Sequence, residues 1–263
     1  MSKNILDDYS FLSIIKQKGK EEFEVTEEAV KLYSNEISIY CKDNGWNMKS
    51  YAMNRNQMST PGAWLSKNQK GMIDIAGDIL TSASAFSGTE NIEPELYKLF
   101  ERVSHTIGNC IPWPEGGNLG GRPWKTGGSP DNFSRKLIAC KEIFDKKRNY
   151  DTKCVKCKIL NGKTLGRGVE KYACIQYWLD LIWANKTWED FIEINYLQDF
   201  VDEKYIPKSF VVGGDKIDLN NKKMIRDTYI QTIRNIISRC YRFYYDGKVD
   251  KEILDNIYSE LKI

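Results

Sequence analysis

The sequence holds one histidine, His105, and it stands four residues after Glu101 at the head of Ser104 to Lys136, SHTIGNCIPWPEGGNLGGRPWKTGGSPDNFSRK. On a helix that spacing makes a carboxylate the neighbour of the imidazole, favouring its charged form and holding its orientation, which suits a general acid or base. Behind it come Asn109, Asn118, Arg122, Lys125 and Asp131, with Arg135 and Lys136 just beyond. Glycines let backbone amides approach a ligand closely, an arginine forks onto phosphate or carboxylate, and the helix start at Ser129-Pro130-Asp131 favours an anion. These residues are candidates for an oxyanion or phosphate site. Asp199 is expected to serve the same site by pairing with Arg122 or Arg135. Plainer readings are a helix-end histidine held by the dipole, and an ordered loop whose Trp113 and Trp124 pack onto helices.

Other chemistries find little support. Cys154-Val-Lys-Cys157 is half of a zinc site or a redox pair, but no second CxxC or nearby histidine completes it, so neither metal nor cofactor is expected. None of the P-loop, dinucleotide, GxSxG, HExxH or kinase patterns occurs, and one histidine cannot supply a His-His ligand pair. Arg226, Arg234 and Arg242, with Tyr241, Phe243 and Tyr245 nearby, form a helical stripe that would suit nucleic acid or simply face solvent.

The pattern SHTIGNCIPWP, NLGGRP, SPDNFSRKL and NYLQDFVDE, over about Glu95 to Glu203, resembles an uncharacterised bacterial and phage-associated family. Its members share a [HY]TIG segment, an Asn/Arg-bearing loop, a helix beginning near Asp-x-Phe, and an LQD segment. The resemblance implies that His105, Thr106, Gly108, Asn118, Arg122, Asp131, Gln198 and Asp199 share one site, and it brings no established activity with it. By residue type His105 and Asp199 are the catalytic candidates, and Thr106, Asn109, Asn118, Arg122, Lys125, Asp131, Arg135 and Gln198 the ligand-binding ones. HTIGN is also similar to the HTLGN segment of HNH-like nuclease domains in restriction enzymes. That likeness implies a degenerate nuclease, because the metal ligands are missing here.

The charge balance, 39 basic against 36 acidic residues for a net +3, is too even to announce nucleic acid in bulk. Seven irregularly spaced cysteines and the absence of a leader-like or membrane-length apolar run point to a cytoplasmic protein with free thiols and no membrane partner. The expected ligand is a nucleotide or the phosphate of a nucleic acid, in a phage-defence or toxin-like role. The alternative is a non-catalytic interaction module or inhibitor that binds a protein partner.

The elements that must position these residues read as a single, mainly α domain with minor β over residues 1–263, residues 1–20 being loosely held. Helices are expected from Thr26, from Met72 to Ala83 and from Glu93-Pro94, the last with Leu96, Leu99, Phe100, Val103 and Ile107 as its inner stripe. Others begin at Ser129 and Glu170, and at Thr187, where Asp190 makes a capping box; the last two span Lys222 to Tyr245 and Asp250 to Leu261. Gly108 is expected to end the third helix as a left-handed cap and to release a loop over 108–130, too rich in Gly and Pro for a sheet. A second loop or hairpin is expected over 146–168 and a short strand at Ser209 to Val212, while Trp46 to Lys70 has no clean period.

Overall fold

The computed structural model describes residues 47–51, 62–67, 71–79, 92–104, 106–114, 132–153, 171–209, 212, 218 and 220–263. The expected helix at Thr26, the histidine, the Gly-rich stretch 115–131 and the Cys154/Cys157 pair lie outside the described residues.

As expected, the fold is mainly α. Among the described residues there are six α-helices: α1 (Pro94–Ser104), α2 (Asn132–Phe144), α3 (Lys171–Ile182), α4 (Trp188–Ile194), α5 (Lys222–Tyr244) and α6 (Lys251–Glu260). The β component is a four-stranded antiparallel sheet, β1 (Asn47–Tyr51), β2 (Gly62–Lys67), β3 (Gly71–Ile79) and β4 (Cys110–Pro114), in that order.

Two expectations are overturned by the sheet. Met72 to Ala83 does not begin a helix: Gly71–Ile79 is strand β3, paired with β2 on one side and β4 on the other. The sequence there also fits period two, with Ile73, Ile75, Gly77 and Ile79 alternating with Asp74, Ala76 and Asp78, and β-branched residues and glycine disfavour the helical alternative. Nor is 108–130 a loop throughout, since Cys110–Pro114 is strand β4. Its prolines are tolerated because β4 is an edge strand of the sheet among the described residues. With Pro112 and Pro114 two apart, both nitrogens fall on one side of the strand, and the alternating Ile111 and Trp113 keep their amides for the other. The expected strand at Ser209 to Val212 is also absent at its described ends: Val212 sits in a turn and gives its amide to Thr228 Oγ1 at 3.1 Å.

Aromatic packing joins the layers. Trp113 of β4 meets Trp178 of α3 at 5.0 Å between ring centroids and Phe133 of α2 at 6.5 Å, and Phe133 meets Phe200 edge-on at 5.5 Å. Phe191 of α4 lies within 6 Å of the rings of Trp178, Trp183, Trp188 and Phe144. On α5 the expected stripe Ile225, Tyr229, Ile233, Ile236, Ile237 and Cys240 is buried, and Phe100 of α1 packs edge-on against Tyr229 at 5.1 Å.

The capping box at α4 forms as read from the sequence: the Asp190 amide donates to Thr187 Oγ1 at 3.1 Å, and the Thr187 amide to Asp190 Oδ2 at 2.8 Å. The bond from the Thr187 amide, helped by the Thr187 hydroxyl and Lys186, holds the Asp190 carboxyl below its usual value despite some burial. A carboxylate so depressed contributes stability above the unfolded-chain value of roughly 4, and the contribution is lost as pH falls through the lower folded value. Thr187→Ala should therefore cost about 1 kcal/mol in urea unfolding at neutral pH. Asp190→Asn should flatten the acid limb of the stability–pH curve; an unchanged limb would show that other carboxylates carry it.

Candidate functional site

Beside its apolar stripe, α5 carries a second one that is polar and buried: Thr228, Thr232, Asn235 and Arg239, at spacings of four, three and four, with Ser238 next to it. These positions share one face of a helix. Buried polar groups need partners, and the lower half of the stripe finds them within or near α5: Thr232 Oγ1 donates to Thr228 O at 2.8 Å, and Gln231 Nε2 to Asn235 Oδ1 at 2.7 Å. The upper half reaches to two other parts of the chain.

The first is the 3-10 turn Ile107–Asn109, which follows α1 and leads into β4. Gly108 is not the left-handed cap expected, because Gly247 is the positive-φ glycine among the described residues. It is glycine for want of space. A Cβ there would run into Ile236 O and stand 2.6 Å from Cys240 Sγ and 2.9 Å from Cys240 N. Close approach lets the Gly108 amide donate to Cys240 Sγ at 3.2 Å; the thiol donates to Thr106 Oγ1 at 3.2 Å, and the Thr106 hydroxyl to Val103 O at 2.7 Å. Burial pushes the Cys240 thiol up, against the Thr106, Gly108 and Arg239 contacts that pull it down, which keeps its proton available for this chain.

Arg239 makes the bridge to the second part. Its side chain is 0 % exposed; Nη1 donates to Gly108 O at 2.8 Å and Nε to Asn195 O at 3.0 Å, while the guanidinium carbon lies 4.8 Å from the Phe243 ring centre. Asn195 caps the C-terminus of α4, and the 3-10 turn Gln198–Phe200 follows it. There Asp199 takes Ser238 Oγ at 2.7 Å and Arg242 Nε at 2.9 Å on Oδ2, and Arg242 Nη2 at 3.3 Å on Oδ1. Of the two expected partners, Arg122 lies outside the described residues and Arg135 does not meet Asp199, whose carboxylate is taken by Arg242 of α5.

Of the candidate residues, Thr106 and Asn109 are fully buried in the first turn, Gln198 and Asp199 are half-buried in the second, and Arg135 is exposed on α2 two residues after Phe133. Consecutive turns of α5 thus hold the Thr106–Asn109 and Gln198–Asp199 segments together. His105, Asn118, Arg122, Lys125 and Asp131 lie outside the described residues. Reading for an apolar stripe missed Arg239 and Ser238. The signal available was the T-T-N-R spacing alongside it, on a helix whose other inner positions are Ile and Tyr.

The arginine stripe is occupied within the chain. Arg226 meets Glu93 at 3.2 Å, Arg234 lies over the Tyr258 ring at 5.1 Å, and Arg242 holds Asp199. Among the described residues no group of three His, Cys, Asp or Glu side chains could hold a metal ion, and no helix is long and apolar enough to cross a membrane. Compared with protein families, functionally described proteins and solved structures, the chain matches none.

The close approach at Gly108 generates a test. Gly108→Ala must displace the turn from the α5 backbone, since the obstructing atoms include a main-chain carbonyl that cannot rotate away. We expect a loss of about 3 kcal/mol or more in urea unfolding, at or beyond the upper range for overpacked cores. A midpoint within error of wild type would mean that the turn can stand off from α5 at no cost.

Proposed function

We propose that the chain binds an anionic ligand, a nucleotide or a phosphate of nucleic acid, where the Ser104–Lys136 stretch meets the Gln198–Asp199 turn. The observation that carries this reading is the joint hold of α5 on both segments: Arg239 and Cys240 on Gly108, Ser238 and Arg242 on Asp199. In sequence these segments are the two halves of the candidate site, and their proximity supports treating them as one.

In this reading the cations come from the Gly-rich stretch and the helix after it: Arg122, Lys125 and Arg135, with Asn118 and backbone amides as further donors. Gln198 adds an amide from the second segment; its Oε1 is buried without a hydrogen-bond partner, a group that a ligand donor would satisfy. Thr106 and Asn109 shape the floor through their burial. His105 is the acid or base if the bound ligand reacts, and Asp199, held by three donors, fixes the turn that carries Gln198.

A thermal-shift screen against nucleoside mono-, di- and triphosphates and short RNA and DNA tests the proposal. A stabilising ligand is expected, and at one hundred times its Kd it should add about 2.7 kcal/mol to stability. Arg122→Ala should weaken that response, and His105→Gln should leave binding intact while abolishing any turnover near neutral pH. No response to any anionic ligand would sink the reading; turnover retained in His105→Gln would remove only the role of the histidine.

A further inference from the structure

From Ser238 to Arg242, α5 spends its side chains on segments remote in sequence: Ser238 and Arg242 on Asp199, Cys240 on Gly108 and Thr106, and Arg239 on Gly108 and Asn195 at once. Arg239 joins both sides through one group. We infer that Arg239 is a latch that makes the 106–109 turn and the 195–199 segment a single opening unit, so that neither half moves away from α5 without the other. That these are halves of one ligand site rests on the function proposed above; the latch itself does not.

Three features support the coupling. A guanidinium is a rigid plane, so the carbonyls bound at Nε and Nη1 are fixed relative to each other as well as to α5. Lysine, a point charge on a flexible stem, would not do this. Next, the charge is fully buried; losing either carbonyl leaves a buried cation short of an acceptor, which penalises opening one side while the other stays closed. Last, the chain after Asn195 is not in a relaxed conformation: Tyr196 has φ of 52°, a left-handed backbone that a non-glycine residue adopts only when held. Arg239 grips the residue immediately before it.

Cys240 provides the reporter, because the Gly108 turn covers its sulfur, while Cys140 on α2 and Cys174 on α3 are buried thiols on other helices. The experiment is per-residue alkylation of the full chain with N-ethylmaleimide, read by peptide mass spectrometry, in parallel with backbone hydrogen exchange. In Arg239→Lys, alkylation of Cys240 and exchange at the amides of 106–109 and 195–199 should all accelerate by a common factor of roughly ten to one hundred, the range set by one charged hydrogen bond. Cys140 and Cys174 should keep their wild-type rates. Acceleration at only one segment, or of all three thiols together, would overturn the latch in favour of a local or a general structural role. Should Arg239→Lys fail to fold, the wild type decides: in native-state exchange under low urea, amides of both segments should show one opening free energy and one urea slope, and two separate slopes would overturn the proposal. No ligand enters either measurement, so failure to bind nucleotides leaves the latch standing, and loss of the latch leaves the binding proposal to its own test.

Discussion

A guanidinium withdrawn from water is the constraint around which the described part of this chain is arranged. Taking Arg239 out of solvent costs several kcal/mol before any contact is made. Its position in the C-terminal third of α5, at 0 % exposure, is tenable only while other parts of the chain bring acceptors to it. Gly108 and Asn195 bring carbonyls and Phe243 brings a ring face. Because those acceptors belong to the turn after α1 and the cap of α4, the demand of one side chain becomes a demand on the placement of three elements. A leucine at this position would bury more cheaply and would specify much less.

The same constraint explains why glycine stands at 108. A carbonyl can approach a buried guanidinium on a helix only if its own backbone lies against that helix, and any Cβ at 108 would occupy the space of Ile236 O. The turn then runs directly into β4, whose Trp113 is one of the largest fully buried side chains and touches both Phe133 and Trp178. The polar contact at α5 and the aromatic contacts on α2 and α3 therefore act on one segment of only a few residues. Such a segment has little freedom to shift.

What the sequence made legible follows from which forces are local. The amphipathic helices α1, α2, α4, α5 and α6 were readable because periodicity, N-terminal proline and capping residues act within a few positions: Asn221 and Asp250 cap as their types suggest, bonding Met224 N at 3.0 Å and Ile253 N at 3.2 Å. The strands were not, because β3 satisfies two periods at once and only its neighbours choose between them. Cys110–Pro114 was misread for a related reason. Two prolines exclude a central strand, but they say nothing against an edge, and whether a strand lies at an edge is a property of the sheet.

The candidate site divides along the same line. His105, Asn118, Arg122 and Gln198 attract notice by residue type, whereas Arg239, the residue that ties the two segments to one helix, sits in a stretch, IISRCYRFYY, that reads as an ordinary amphipathic helix. Residue type marks groups that could meet a ligand, since those must be polar and accessible. The groups that place them are selected by burial, and burial depends on partners that lie 44 and 131 residues away. A buried arginine is consequently the more informative observation: a solvated one is compatible with any arrangement of the rest of the chain, while this one requires that the turn at Gly108 and the cap at Asn195 stand together.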